Sequence, residues 1–163
     1  MSWFAANNYC KSVGAKLVEI NSEEENAAIV GEIERGGYKD RRMYFWLGLT
    51  DLDDERTWKL ASNGEEADYL NWDTSYPQAP EPNNHGGNEH CAHMRTGPCT
   101  SWKDTWADLD CNTSLVTITC TDMGSRPVDY TKHALCEFGK QPCKFTSSPI
   151  DDNKETASTA GAK

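Results

Sequence analysis

No run in this 163-residue chain is apolar for the roughly 20 residues that a membrane-spanning helix needs. The amino terminus also lacks the charged-then-apolar order of a secretory signal peptide. Positive charge is scarce: 16 Lys and Arg stand against 26 Asp and Glu, the net charge is −10, and no basic cluster interrupts the acidic background. Nucleic acid and anionic membrane surfaces are held through clustered Lys and Arg, so neither is expected as a partner. None of the seven cysteines stands in a CxxC pair, which removes the usual signature of zinc fingers and of thiol redox chemistry.

The cysteines that are present (Cys10, Cys91, Cys99, Cys111, Cys120, Cys136 and Cys143) are many for a cytosolic chain of this size. They read as disulfides of a secreted or extracellular domain. Asn112-Thr113-Ser114 is a glycosylation sequon and agrees with a glycoprotein on the secretory route. The absent signal peptide then marks the sequence as a fragment. Its length suits one domain with a sizeable core, followed by a tail.

Trp3, Ala6, Cys10 and Val13 recur every three or four residues and predict an amphipathic helix over 2–13, stopped by Gly14. Lys16 to Ile20 alternates as a short strand. Ser22 and Glu25 fit a capping box at the head of a second helix over 23–35, with Glu23 to Glu25 at the positive end of its dipole and Gly36-Gly37 after it. These acids are therefore structural. Met43 to Leu49 is the most apolar run and predicts a buried strand. Thr57 to Leu60, Tyr69 to Trp72, His90 to Arg95, Trp102 to Asp108 and His133 to Phe138 read as further strands, which makes an α+β domain. Trp3, Trp46, Trp58 and Trp72 fall in these patterns and are expected in the core, whereas Trp102 or Trp106 is expected beside a binding surface. After Gly139 the composition turns to Ser, Thr, Ala, Lys and Asp, so 1–139 reads as the domain and 140–163 as a disordered tail.

Between Asn71 and Cys91 the sequence NWDTSYPQAPEPNNHGGNEHC holds three prolines, four asparagines, two histidines and a Gly-Gly pair. That predicts an ordered, oxygen-rich loop. Calcium takes about 6–8 oxygens, and Glu81, Asn83 and Glu89 offer carboxylate and amide oxygens separated by turn residues. A calcium site and a solvated surface loop are both open readings at this point. His85, His90 and His93 read as surface or supporting groups rather than zinc ligands, because such loops use oxygen donors. Glu81 and Glu89 are the only pair that suggests glycosidase chemistry, and nothing else supports an enzyme.

Taken together, WFAANNYC, KLVEI, SEEEN, FWLGL, EPN at Glu81 to Asn83, GNEHC at Gly87 to Cys91, WADLDC at Trp106 to Cys111 and ALCEF at Ala134 to Phe138 resemble the C-type lectin-like domain, in that family's order and over residues 2–139. The resemblance implies two helices flanking small antiparallel sheets, a long calcium- and sugar-binding loop, and disulfides Cys10–Cys136 and Cys91–Cys111. Cys99 and Cys120 would then form an extra bridge. Cys143 is left over, to pair with a cysteine upstream of Met1, to link an oligomer, or to stay free. A first strand that the family carries before the helix at Trp3 is missing here.

The family's EPN order, with a cis bond before Pro82, goes with mannose, N-acetylglucosamine, fucose and glucose, held through calcium. The resemblance implies Glu81, Asn83, Glu89 and Asp108 as ligands of both ion and sugar, and Asp51, Glu55, Asn84 and Glu89 as an auxiliary calcium site. Two departures stand out. Ala107 replaces the asparagine of the Trp-Asn-Asp motif, which removes a calcium oxygen and a donor to the sugar, and His90 stands at an acidic position of the auxiliary site. A lectin-like domain that binds a protein partner, with its calcium site weakened or unused, is the alternative that Ala107, the Cys99 region and the insertion from Ser114 to Tyr130 favour. Tyr76 is placed to stack on a sugar face.

Overall fold

The computed structural model describes residues 1–38, 43–96, 104–120 and 126–139, without the side chains of 116–120 and 126–129. The expectations for Trp102, the Cys99–Cys120 bridge, Cys143 and the tail lie outside what is described.

Helix α1 runs over Trp3–Ser12, with the Ser2 hydroxyl accepting from the Ala5 N–H at 3.3 Å. Its buried stripe is Trp3, Ala6 and Cys10, and Gly14 leaves it at φ +75°, where a residue with a Cβ is disfavoured. Helix α2 runs over Glu23–Arg35, and the Ser22 hydroxyl accepts from the Glu25 N–H at 3.1 Å. The return bond of the capping box is displaced by one residue: the Glu25 carboxylate accepts from the Asn21 N–H at 2.8 Å.

Strand β2, Met43–Thr50, is buried along six consecutive residues because both of its faces are covered. Phe45, Leu47 and Leu49 meet Ile33 of α2, Trp58, Met94 and Trp106 on one face. Trp46 meets Trp3, Cys10 and Leu17 on the other. Strands β3 (Lys59–Leu60), β4 (Cys91–Arg95), β5 (Trp106–Leu109), β6 (Leu115–Cys120) and β7 (Arg126–Ala134) complete the main sheet in the order β5-β4-β2-β7-β6, with β3 paired to β2. Its pairings are antiparallel except β2 with β7. Strand β1 (Lys16–Leu17) pairs separately with β8 (Cys136–Glu137). Disulfides Cys10–Cys136 and Cys91–Cys111 join the pairs that the resemblance implies.

Two expectations are corrected. Trp106 is not beside a binding surface: it is 1% exposed in the core, and its indole N–H donates to buried Asn26 at 3.0 Å. Tyr69 to Trp72 forms no strand, because its backbone bonds reach only one residue of β5, through Asn71 O and Asp73 N–H to Trp106. The described parts of the span from Ser114 to Tyr130 supply β6 and the start of β7, and Val116 to Thr119 is a run of the β-branched residues that strands favour.

Gly48 lies where β2 passes under β1. A Cβ there would sit 2.7 Å from Glu19 Cγ and 2.9 Å from the Leu17 carbonyl oxygen. Glu19 is buried and cannot move freely, since its carboxylate accepts from Ser62 N–H and Oγ, both at 2.7 Å. Gly48→Ala is therefore expected to destabilise the domain by about 1–3 kcal/mol in urea unfolding.

Candidate functional site

The loop that precedes β4 is held by its own polar side chains. The Glu81–Pro82 peptide bond is cis. Asp108 of β5 reaches across to the loop, its two oxygens accepting from the Asn83 N–H at 3.0 Å and the Asn84 N–H at 2.7 Å. Asn84 sits at φ +43°, and its amide oxygen accepts from the Glu89 N–H at 3.0 Å. Between them the chain turns through His85–Gly87, where Gly86 and Gly87 have φ of +74° and +76°. That turn brings Glu89 back to accept from the His85 N–H at 2.9 Å. The structure thus draws Glu81, Asn83, Glu89 and Asp108 onto the lining of one cavity of about 650 Å³.

Arg95, at the end of β4, was not anticipated from sequence. Its guanidinium forks between Asp73, at 2.7 Å, and Glu81. The other Glu81 oxygen accepts from the Asn83 amide at 2.7 Å. Burial and then the neighbouring Asp108 carboxyl push the Glu81 carboxyl up to about 8 against the opposing pull of Arg95. Burial also raises Glu89, with Asp108 adding to the effect and the His85 N–H working against it. Crowded, half-buried carboxylates of this kind are what a bound cation would relieve, and Glu81, Asn83, Glu89 and Asp108 each carry a side-chain oxygen to offer one.

Ala107 pairs with His93 in the sheet and is fully buried. A methyl group there supplies neither oxygen nor donor. His93 itself is not a surface group: it is 3% exposed, stacks on Tyr44 with ring centroids 5.2 Å apart, and is held well below its ordinary value by burial and by the cations Lys132 and Arg95. Lys132 is equally buried, with Nζ 4.7 Å from the Tyr44 ring centroid and 5.1 Å from that of Trp46. Neither Lys132 Nζ nor His93 Nδ1 finds a hydrogen-bond partner among the described residues. These two groups left no signal in the sequence, because only the sheet register brings positions 44, 93 and 132 together. Tyr76 is 66% exposed on the loop.

The residues expected at the auxiliary site make the following contacts. Asp51 and Glu55 approach His90, at 3.0 and 3.4 Å from Nδ1. Asn84 and Glu89 bond to each other, and Asn84 to Asp108.

Comparison with known proteins agrees with the fold. Residues 1–121 match the model of the lectin C-type domain. Salivary C-type lectin 1 of Aedes albopictus is 27% identical over 114 residues, covering 69% of this chain and 71% of that protein. The carbohydrate-recognition domain of the mouse scavenger receptor C-type lectin superposes with a TM-score of 0.52 at 29% identity, over 69% of this chain and 75% of that one. The corresponding domain of cow CD23, solved in the presence of a GlcNAc2Man3 oligosaccharide, gives 0.52 at 28% identity, over 69% and 73%.

The raised Glu81 carboxyl has a consequence for stability. As pH rises, the unfolded chain releases this proton near 4.5 while the folded site keeps it to about 8, so the stabilisation is full below the first value and is lost through the second. With a chelator present, Tm is expected to fall between about pH 5 and pH 8.5, and Glu81→Gln to flatten that fall in a thermal melt series.

Proposed function

This chain belongs to the C-type lectin domain family, and from that premise we propose that it binds mannose-type carbohydrates through calcium held at the EPN loop. Lectins of this family bind rather than transform their ligands, and the chain is not an enzyme. The observation that carries the proposal is the convergence of Glu81, Asn83, Glu89 and Asp108 on a single cavity. The similarity to the CD23 domain, solved with a mannose-containing oligosaccharide present, supports the ligand class. No described helix is long and apolar enough to cross a membrane, and the two disulfides suit a secreted or extracellular setting.

Calcium at this loop supplies a charged centre that two neighbouring sugar hydroxyls can join. The chain's own part is orientation. A carboxylate at 81 accepts from a hydroxyl and an amide at 83 donates to one, so the Glu-before-Asn order selects a pair of hydroxyls in one direction. Arg95 fixes the plane of Glu81 from behind. The Asn83 amide, now donating to Glu81, exchanges that bond for the sugar. Asp108 keeps the loop backbone in place through its two N–H contacts.

Ala107 favours a second reading, in which the ion is held weakly and the domain serves a protein partner. Calcium decides between them, because a ligand that binds only the native state raises Tm. At about 100 times its dissociation constant calcium would add about 2.7 kcal/mol. No shift at millimolar calcium would remove the metal from the lectin reading. Retention on immobilised mannose in calcium, released by a chelator, is the expected result for the domain. Glu81→Gln with Asn83→Asp is expected to shift retention toward galactose. Ala107→Asn is expected to tighten calcium by roughly tenfold, the effect of one restored charge-assisted contact, as read by isothermal titration.

A further inference from the structure

A second group of metal-ligating side chains lies at the mouth of β4, beside the EPN cavity, whose lining includes the neighbouring Arg56 and Glu89. Asp51 Oδ1 is 3.0 Å and Glu55 Oε2 3.4 Å from His90 Nδ1, and the three donor atoms all lie within 4.8 Å of one another. The family's auxiliary ion at this place is calcium, and the residues here do not fit it. One donor is an imidazole nitrogen, which calcium avoids, and three side-chain donors fall well short of about 6–8 oxygens. Asn84, which the resemblance would supply, already accepts the Glu89 N–H on its amide oxygen.

The same atoms suit a smaller, borderline ion. Around zinc, bonds of about 2.0–2.1 Å in a tetrahedron put neighbouring donors about 3.3–3.4 Å apart, close to the spacing of each carboxylate from Nδ1. A single ring N–H has one proton to give, yet two carboxylate oxygens face Nδ1, so a hydrogen bond satisfies one of them and an ion satisfies both. The donors are also held from outside. The second Asp51 oxygen accepts from the Arg56 N–H at 2.8 Å, and Arg56 adopts φ +68° to give it. The His90 carbonyl accepts from Thr50 Oγ1 at 2.7 Å and from the Asp51 N–H at 3.2 Å. Asp51 is 3% exposed while Glu55 is open, which leaves an entry path and room for water as a fourth ligand.

We propose that Asp51, Glu55 and His90 form a binding site for a zinc-like divalent transition metal, selected against calcium by the imidazole at position 90. Its occupation ties the 51–56 turn to the residue after Glu89 without any need for calcium at the EPN loop.

The test uses the full chain, stripped of metal with a chelator, with any free thiols alkylated, and zinc chloride alone as the probe. One equivalent of zinc should bind in isothermal titration and raise Tm. His90→Ala, shown folded by circular dichroism, should weaken zinc by at least about tenfold, since losing even an outer partner of a ligand costs about 10–100-fold. The same variant should leave the calcium-induced Tm shift unaltered. His90→Asp should lose zinc and gain a second calcium equivalent. Zinc binding that survives His90→Ala with unchanged stoichiometry and affinity, or a wild-type chain that binds no zinc, would overturn the proposal. Zinc binding is also expected to persist in Glu81→Gln, so failure of mannose binding and failure of this site read out separately.

Discussion

Strand β2 has to hide two faces at once, and the rest of the domain is arranged to let it. Six buried residues in a row leave no side of the strand for water, so a helix and the Trp58 region cover Phe45, Leu47 and Leu49 while α1 covers Trp46. Its two edges then take β4 and β7. Removing either layer would expose large aromatic surface, whose burial is the main stabilising term in a domain of this size. The Cys10–Cys136 bridge fastens α1 to β8 across a separation of 126 residues, close to where the layers meet.

That arrangement also dictates where the site forms. Strand β4 pairs with β2 and β5 with β4, so Arg95 and Asp108 stand on regular sheet, and the loop from Asn71 to His90 has to close over them. The loop contributes Glu81, Asn83 and Glu89, while the sheet contributes the groups that orient them: Arg95 on Glu81 and Asp108 on the backbone of Asn83 and Asn84. Rigid groups below and turn residues above are a suitable division for binding, since orientation comes from the scaffold and chemistry from the loop.

The electrostatic balance is uneven in an informative way. Glu81, Glu89 and Asp108 crowd the cavity, and the cation nearest to them, Arg95, is shared with Asp73. Lys132 lies behind the rings of Tyr44 and Trp46, where burial and then Arg95 hold its amine well below its ordinary value. Such carboxylates are compensated either by protons, as the raised Glu81 and Glu89 indicate, or by an added cation. Proton and metal therefore compete for the same oxygens.

Local signals in the chain were enough to determine both helices, the buried strand and the loop. Helical spacing of Trp3, Ala6 and Cys10, the Ser22 cap and the apolar run at 43–49 act over a few residues, and physics at that range is written in neighbouring letters. The family pattern added both disulfides and the four residues that meet at the cavity. Contacts between distant positions were decided only by the tertiary structure. Trp106 reads as a candidate surface residue until the α2 asparagine Asn26 receives its indole. Lys132 and His93 look like ordinary polar residues until parallel pairing of β7 and antiparallel pairing of β4 set them on either side of Tyr44. Asp51 and Glu55 meet the imidazole of His90, while Asn84, at a left-handed backbone, accepts from the Glu89 N–H through its amide oxygen. Residue type states what a side chain is able to bind, but which atoms it meets follows from backbone register and torsion, and those are settled by the packing of the whole chain.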